Sequence, residues 1–79
     1  MQDIPQIPRL IKVARENTLI GSYEMAAAKY KAAIGLIKNH LSVIDEDYTR
    51  DRWHQFLMDV EKEYRALNGL TSSWSNFLG

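Results

Sequence analysis

Apolar residues recur at helical spacing through the middle of the chain. From Tyr23 to Ile44 they follow alternating steps of four and three, which keeps one stripe on one side of a helix over about six turns. A strand would instead alternate apolar and polar residues with a period of two. The spacing therefore predicts a long amphipathic helix, with an inward stripe of Tyr23, Ala27, Tyr30, Ile34, Ile37, Leu41 and Ile44.

A first helix is predicted before this one. It is expected to start near Pro8, because Pro5 and Pro8 each disfavour helical geometry in the preceding residue. Gly21 is expected to end it and the Ser22 hydroxyl to cap the next helix, so that the two helices form a tight antiparallel hairpin. The predicted inward stripe is Leu10, Ile11, Ala14 and Thr18, with Leu19 beside them.

A third helix is predicted after an acidic cluster. Carboxylates cap a helix start and interact favourably with its positive end. Asp45, Glu46 and Asp47 are therefore expected to close the second helix and open the third, and Asn68 with Gly69 predicts where the third helix stops. The residues expected to face inward are Trp53, Phe56, Leu57, Val60, Tyr64 and Leu67.

Gly35 lies inside the second predicted helix. A glycine there costs about 1 kcal/mol relative to alanine. A neighbouring helix that approaches closely, where no side chain intervenes, would offset this cost. We therefore expect close helix packing at Gly35.

These elements predict an all-α fold, an antiparallel three-helix bundle. We divide the chain into a lead-in at residues 1–8, a helical domain at 9–69 and a tail at 70–79. The tail is rich in serine but carries Trp74, Phe77 and Leu78. Two expectations stay open for it: a linker, or docking of these side chains, which are unfavourable in water.

The amino-acid composition limits the classes of function that we expect for this chain. The chain has 79 residues, enough for one domain, and its ten basic and ten acidic residues cancel. Residues 1–44 carry six basic and three acidic groups and residues 45–79 carry four and seven, so we expect no general nucleic-acid binding. The sequence has no cysteine, no long apolar run and no basic leader followed by one. We therefore expect an intracellular protein without membrane insertion.

Sequence motifs for catalysis are missing. The chain has no glycine-rich phosphate loop, no GxSxG or HExxH motif and no cysteine nucleophile. His40 and His54 fall on different predicted helices and have no further ligands near them in sequence, so we expect a surface or helix-end role for both. We expect no catalytic residue, no cofactor and no metal.

Two methionines lie outside the predicted apolar stripes. Met25 falls beside the stripe of the second helix, and Met58 falls off the inward side of the third. Flexible thioethers are common on surfaces that accommodate a partner, so both are candidate protein-binding residues. The alternative is that each is an isolated exposed side chain.

Basic residues supply a second candidate surface. A patch of them on the second helix and at the start of the third would suit an acidic polymer. The alternative is an ordinary solvated face. The residues are Lys29, Lys31, Lys38, Arg50 and Arg52.

The run from Ile11 to Tyr23 resembles a known family. Its Ala-Arg-Glu sequence, followed by a Gly-x-Tyr turn, is similar to the N-terminal domain of katanin catalytic subunits, as are Lys38-Asn39-His40-Leu41 and Arg52-Trp53. The resemblance covers roughly residues 9–68. Gly-x-Tyr also occurs in tetratricopeptide repeats and in other microtubule interacting and trafficking (MIT) domains. The long second helix and the lack of a second copy favour the MIT-like bundle.

The resemblance implies a noncatalytic recruitment module with the MIT fold. In katanin, this domain contributes to microtubule binding and binds the C-terminal helical region of the regulatory subunit, while a separate ATPase domain severs. The implied location is cytoplasmic, on microtubules at the spindle or centrosome. Two alternatives stay open: an MIT domain that binds helical tails of membrane-remodelling proteins, and a structural oligomerisation bundle.

Overall fold

Three helices make up the fold. The computed structural model describes the backbone of residues 3–78 and the side chains of residues 5–69. Helix α1 spans Asp3–Leu19, α2 spans Tyr23–Leu41 and α3 spans Asp47–Leu78. The predicted all-α three-helix fold is confirmed, and no strand occurs within the described residues.

Helix α2 is the centre of the bundle. It packs along both α1 and α3, which approach each other much less closely. Three residues of its predicted stripe, Tyr30, Ile34 and Ile37, are buried, and the small residues Ala26 and Ala33 are buried beside them. The core consists of Ile7, Ile11, Ala14, Ala26, Tyr30, Ala33, Ile34, Ile37, Leu57, Val60 and Leu67.

Helix α1 begins earlier than predicted. It starts at Asp3 and contains Pro8, so the expected start near Pro8 is wrong. Pro5 falls in the first turn, where no intrahelical N–H bond is lost. Pro8 costs about 3 kcal/mol in a helix interior. The complete burial of Ile7 on this early turn contributes about 1.5–3 kcal/mol, which offsets most of that cost.

Leu19 does not join the inward side of α1. It is 86% exposed, so its predicted place beside the stripe is wrong. Ile7, Ile11 and Ala14 follow the i, i+4, i+7 spacing of one helix side, which Thr18 continues. Leu19 is one residue later and therefore points about 100° away.

The turn between α1 and α2 is a Schellman motif. Gly21 has φ +84°, as predicted for a helix-ending glycine. The Ser22 N–H donates to the Asn17 carbonyl at 2.8 Å, and the Gly21 N–H donates to the Thr18 carbonyl at 3.2 Å. The predicted cap by the Ser22 hydroxyl is wrong, because it makes no capping hydrogen bond. Its backbone carbonyl accepts from the Ala26 N–H instead.

The acidic cluster opens α3 as predicted, but it does not close α2, which ends at Leu41. The Arg50 N–H donates to the Glu46 carbonyl at 2.9 Å, the first helical bond, and the Thr49 hydroxyl donates to the Glu46 carboxylate. The Arg50 guanidinium donates to the Ile44 carbonyl, which lies beyond the end of α2. Ile44 therefore belongs to the connection and not to the helix, contrary to the predicted stripe.

The predicted stop at Asn68 and Gly69 is wrong, because α3 continues to Leu78. Among the described glycines, Gly21 alone has a positive φ. A glycine permits a left-handed turn without imposing one. At 32 residues, α3 has an expected length of about 48 Å, which is the longest dimension of the molecule, 48 Å. The side chains of Trp74, Phe77 and Leu78, for which docking was considered, lie outside the described residues.

Gly35 makes no close approach to another helix. A β-carbon placed on it would meet no described atom within 4 Å, so the expected tight packing is wrong. Gly35 lies five residues after the buried Tyr30, which places it about 140° around the helix from the core. The glycine is exposed and borders an open groove.

Candidate protein-binding surfaces

A groove with basic edges runs between α2 and α3. It encloses about 460 Å³. Lys31 and Lys38 lie two turns apart on α2 and both line it, while Ile34 and Tyr64 supply apolar walls. The Lys38 Nζ lies 3.7 Å from the Glu61 carboxylate across the groove. The lining residues are Lys31, Ile34, Gly35, Lys38, Glu61, Tyr64 and Arg65.

A second groove separates α1 from α3. It encloses about 300 Å³, and its lining is apolar at Ile11, Leu19 and Phe56. Because α1 and α3 pack mainly against α2, they leave this space between them. The lining residues are Pro8, Ile11, Lys12, Arg15, Glu16, Leu19 and Phe56.

One carboxylate joins all three helices. The Arg15 Nε and Nη2 atoms on α1 donate to the two oxygens of Glu63 on α3, at 3.0 and 2.7 Å. The Tyr30 hydroxyl on α2 donates to the Glu63 Oε1 at 2.9 Å. This three-helix junction fixes α1 against α3, where direct packing between them is sparse.

The junction changes the acidity of its members. The hydrogen bond from Arg15 lowers the pKa of Glu63 below its ordinary value, because it favours the charged carboxylate. The same bond raises the pKa of Arg15. Burial raises the pKa of Tyr30, and its hydrogen bond to Glu63 raises it further. The charged pair is therefore the stable form at neutral pH.

The five basic residues chosen from the sequence fall in three places. Lys31 and Lys38 share the α2–α3 groove, whereas Lys29 lies about 160° around α2 from Lys31. Arg50 donates to the Ile44 carbonyl at 2.8 and 3.3 Å. Arg52 donates to the Tyr48 hydroxyl at 3.1 Å, with its Cζ atom 5.7 Å from the tyrosine ring centre.

Sequence reasoning missed Arg65. It lines the α2–α3 groove opposite the two lysines. The sequence does indicate this position. Arg65 directly follows the inward residue Tyr64 and lies one turn after Glu61. It therefore borders the side of α3 that packs on α2.

The two methionines are half-exposed on different helices. Met25 is 51% exposed and Met58 49% exposed. Met25 follows two other exposed apolar residues, Leu19 and Ile20, by six and five positions in the sequence. Met58 has no exposed large apolar residue within four positions of it in the described part of α3. The structure therefore gives the two residues different surroundings.

The family model for the MIT domain of the katanin p60 A1 subunit matches residues 7–70. The chain belongs to the katanin MIT-domain family. The resemblance seen in the Ala-Arg-Glu and Gly-x-Tyr sequences is thereby confirmed. The matched katanin MIT domain is noncatalytic, in agreement with the expectation for this chain.

Curated proteins similar to this katanin MIT domain are named as katanin subunits. The chain is 24% identical over 75 residues to the katanin p60 ATPase-containing A-like 1 subunit of Rattus norvegicus, covering 95% of this chain and 15% of the relative. It is 23% identical over 74 residues to the katanin p60 ATPase-containing A1 subunit of Strongylocentrotus purpuratus, covering 94% and 14%. The chain thus spans about one seventh of the length of these relatives.

His40 of the katanin MIT domain packs against aromatic residues, whereas His54 is exposed. His40 and Trp53 lie edge to face with ring centres 4.5 Å apart, and Phe56 packs on Trp53 in the same way at 5.7 Å. Within the described residues, no group of three histidine, aspartate or glutamate side chains is placed to hold a metal ion. None of the helices, over the residues described, is both long and apolar enough to cross a membrane.

Proposed function

We propose that this chain is the recruitment domain of a katanin-like microtubule-severing ATPase. It contributes to microtubule binding and binds the C-terminal helical region of the katanin regulatory subunit. The match to the katanin p60 MIT family over residues 7–70 carries this proposal. Its location is the cytoplasm, on the microtubule cytoskeleton.

The α2–α3 groove is the part of the molecule best suited to tubulin, which we treat as an acidic polymer. Lys31, Lys38 and Arg65 border it, against the single carboxylate of Glu61. Lys29, Arg50 and Arg52 are the further basic candidates, outside this groove. Exposed charges interact weakly and are screened within about 10 Å at 0.1 M salt. The microtubule contact therefore depends on several cations acting together and weakens as salt rises.

The regulatory subunit is expected to use apolar contacts. Met25 and Met58 are the sequence-based candidates, and both are accessible. An apolar contact depends less on salt than a charged one, because its stability comes from the area removed from water. The two partners should therefore respond differently to ionic strength.

The mechanism is tethering. A domain that holds its ATPase close to the lattice raises the local concentration of the enzyme there, and this effect needs no chemistry in the domain itself. Tighter binding by this domain should therefore raise the severing rate when the enzyme concentration is low.

Co-sedimentation with microtubules tests the basic groove. The double substitution Lys31→Glu and Lys38→Glu is expected to weaken binding about tenfold, or about 1.4 kcal/mol. Lys62→Glu is the matched control, because Lys62 is an exposed lysine on α3 that does not line the groove. Equal losses in the groove variant and the control would contradict a specific site. Lys29→Glu and Arg52→Glu measure the contributions outside the groove.

A second candidate function is an MIT domain that binds helical tails of membrane-remodelling proteins. The apolar groove between α1 and α3 favours it, since Ile11, Leu19 and Phe56 line a space open to a partner. Labelled tail peptides separate the two functions. Micromolar tail binding, together with no binding of the katanin regulatory subunit, would establish the trafficking role. A stable homomer in light scattering would instead favour a structural oligomerisation bundle.

A further inference from the structure

Three exposed apolar residues lie at the end of the bundle where α1 turns into α2. Leu19 is 86% exposed, Ile20 75% and Met25 51%, and all three fall within seven positions of the sequence. Single exposed apolar residues are common, but a cluster of them rimmed by polar residues marks a binding site. We call Leu19, Ile20 and Met25, with Glu16 and Glu24, the end surface. Leu19 and Glu16 also line the α1–α3 groove, so the end surface adjoins that groove.

The turn itself does not require these apolar side chains. The Schellman motif is made by backbone hydrogen bonds and by the positive φ of Gly21, none of which involves the side chain of Leu19 or Ile20. Polar residues would fit the same positions without exposing apolar area to water. The tight turn also fixes the backbone that carries the two side chains, which lowers the ordering cost of binding.

The end surface is acidic at its edge. Glu16 and Glu24 are both exposed. In the part of the chain that the structure describes, neither carboxylate has an ion-pair partner within 4.0 Å. The sequence from Glu16 to Ala28 contains no basic residue. Lys29 lies one turn beyond Met25, and Lys12 lies one turn before Glu16, so these two lysines bound the surface. Arg15, directly before Glu16, is paired with Glu63. A partner with basic residues around an apolar side complements this arrangement.

The backbone at the turn selects the kind of partner. The N–H groups of Ile20, Gly21 and Ser22 all donate to carbonyls within the turn, at 3.2, 3.2 and 2.8 Å. An extended peptide that binds by strand addition needs an extended backbone edge, whereas residues 20–22 form a closed turn. A helix satisfies its own backbone and offers side chains alone, so it fits this surface.

We propose that the end surface binds a basic amphipathic helix of a partner protein. The apolar side of that helix covers Leu19, Ile20 and Met25, and its flanking lysine or arginine side chains pair with Glu16 and Glu24. This inference rests on the proposed function, since it specifies the chemistry of the helical partner that Met25 contacts. A second copy of this chain is a poorer occupant, because a two-fold contact would bring the same carboxylates together.

Two synthetic helical peptides of about 20 residues test the surface directly. They share one leucine side and differ only in flanking lysine or flanking glutamate. Titration into the isotopically labelled chain should produce NMR shifts at residues 16–25, and the lysine peptide should bind at least about tenfold tighter at low salt. The pair Glu16→Lys and Glu24→Lys should reverse that preference. Shifts centred elsewhere, equal affinity for both peptides or no binding of the lysine peptide would overturn the inference.

Two exposed-residue variants measure the apolar contribution. Ile20→Ser should weaken the lysine peptide about tenfold, because an apolar side chain no longer leaves water on binding. Val43→Ser is the matched control, since Val43 is similarly exposed but lies in the connection between α2 and α3. An unchanged melting temperature shows that both variants fold. Equal binding by the two variants contradicts the inference.

The regulatory subunit of katanin separates this inference from the proposed function. If its C-terminal region binds the chain and Ile20→Ser does not weaken the complex, the end surface is not the contact, while the proposed function stands. If the region does not bind the unmodified chain, the proposed partner is wrong, and the peptide titration alone decides whether the end surface binds basic helices.

Discussion

The α2–α3 groove and the end surface share helix α2 and differ in the charges at their edges. The groove is concave and bordered by Lys31, Lys38 and Arg65. The end surface has exposed apolar side chains at Leu19, Ile20 and Met25 and exposed carboxylates at Glu16 and Glu24. The formal net charge of zero therefore conceals two regions of opposite sign.

This difference leads us to expect different partners for the two regions. We expect an acidic partner to prefer the groove and a basic helix to prefer the end surface. Different residues form the two regions, so each can be changed without changing the other. Variants that damage one region and spare the other therefore decide whether they act separately.

Removing core volume should damage both regions at once. Ile37 is fully buried, and Ile37→Ala is expected to destabilise the chain by about 2–5 kcal/mol, because it leaves a cavity where α2 packs. Urea unfolding followed by circular dichroism measures this loss. Met58→Ala is the control, since Met58 is half-exposed, and its change should stay within about 0.5 kcal/mol. A similar loss in both would contradict the assigned core.

A pair of glycine substitutions should separate the two regions. Gly21→Ala is expected to cost about 1–2 kcal/mol, because its φ of +84° is unfavourable for a residue with a β-carbon. Gly35→Ala should stabilise by about 0.5–1 kcal/mol, since Gly35 is helical and a β-carbon there meets no described atom within 4 Å. Thermal melts of the two variants should shift in opposite directions. A shift in the same direction would show that the turn or the groove is built differently.

The three-helix junction should make stability depend on pH. The lowered pKa of Glu63 means that the folded chain binds its proton less readily than the unfolded chain. The stabilisation is therefore present above the ordinary value of 4.5 and is lost as pH falls through the lower folded pKa. Glu63→Gln should cost about 0.5–1 kcal/mol at pH 7.

Urea midpoints at pH 7 and pH 3 measure this junction. The unmodified chain should lose more stability between the two values than Glu63→Gln does. Glu61→Gln is the control, because Glu61 has only a 3.7 Å contact with Lys38. An identical loss in all three proteins would exclude Glu63 as a source of the acid sensitivity.

The smallest effect is expected in the groove. Lys38→Gln removes the exposed Lys38–Glu61 pair and should change stability by less than about 0.5 kcal/mol. Microtubule co-sedimentation should nevertheless fall, and the fall should shrink as salt rises. A large loss of stability would mean that weaker microtubule binding reflects damage to the fold.

The two helix-ending glycines show what the sequence could predict about the fold. Gly21 was predicted correctly, because a complete amphipathic helix follows it and packs back on α1. Gly69 looked similar, yet α3 continues through it. Local chemistry permits a turn at either glycine, whereas packing of the following segment decides whether the turn forms. Pro8 gave a related error, because burial of Ile7 offset a local preference.

The candidate surfaces were less predictable than the core. Helical spacing correctly identified Tyr30, Ile34 and Ile37 as core residues, because an apolar stripe indicates which side of a helix is covered. Arg65 and Leu19 lie just beside such stripes, and their exposure depends on where a neighbouring helix stops covering them. Met25 was chosen from its residue type, and the structure added Leu19 and Ile20 beside it.

The three-helix junction also limits how related sequences can change. Glu63 receives hydrogen bonds from Arg15 and Tyr30, which belong to two other helices. Replacing the carboxylate alone leaves a cation and a buried hydroxyl without their acceptor. Positions 15, 30 and 63 should therefore vary together among relatives, so that a change at one is accompanied by a compensating change at another.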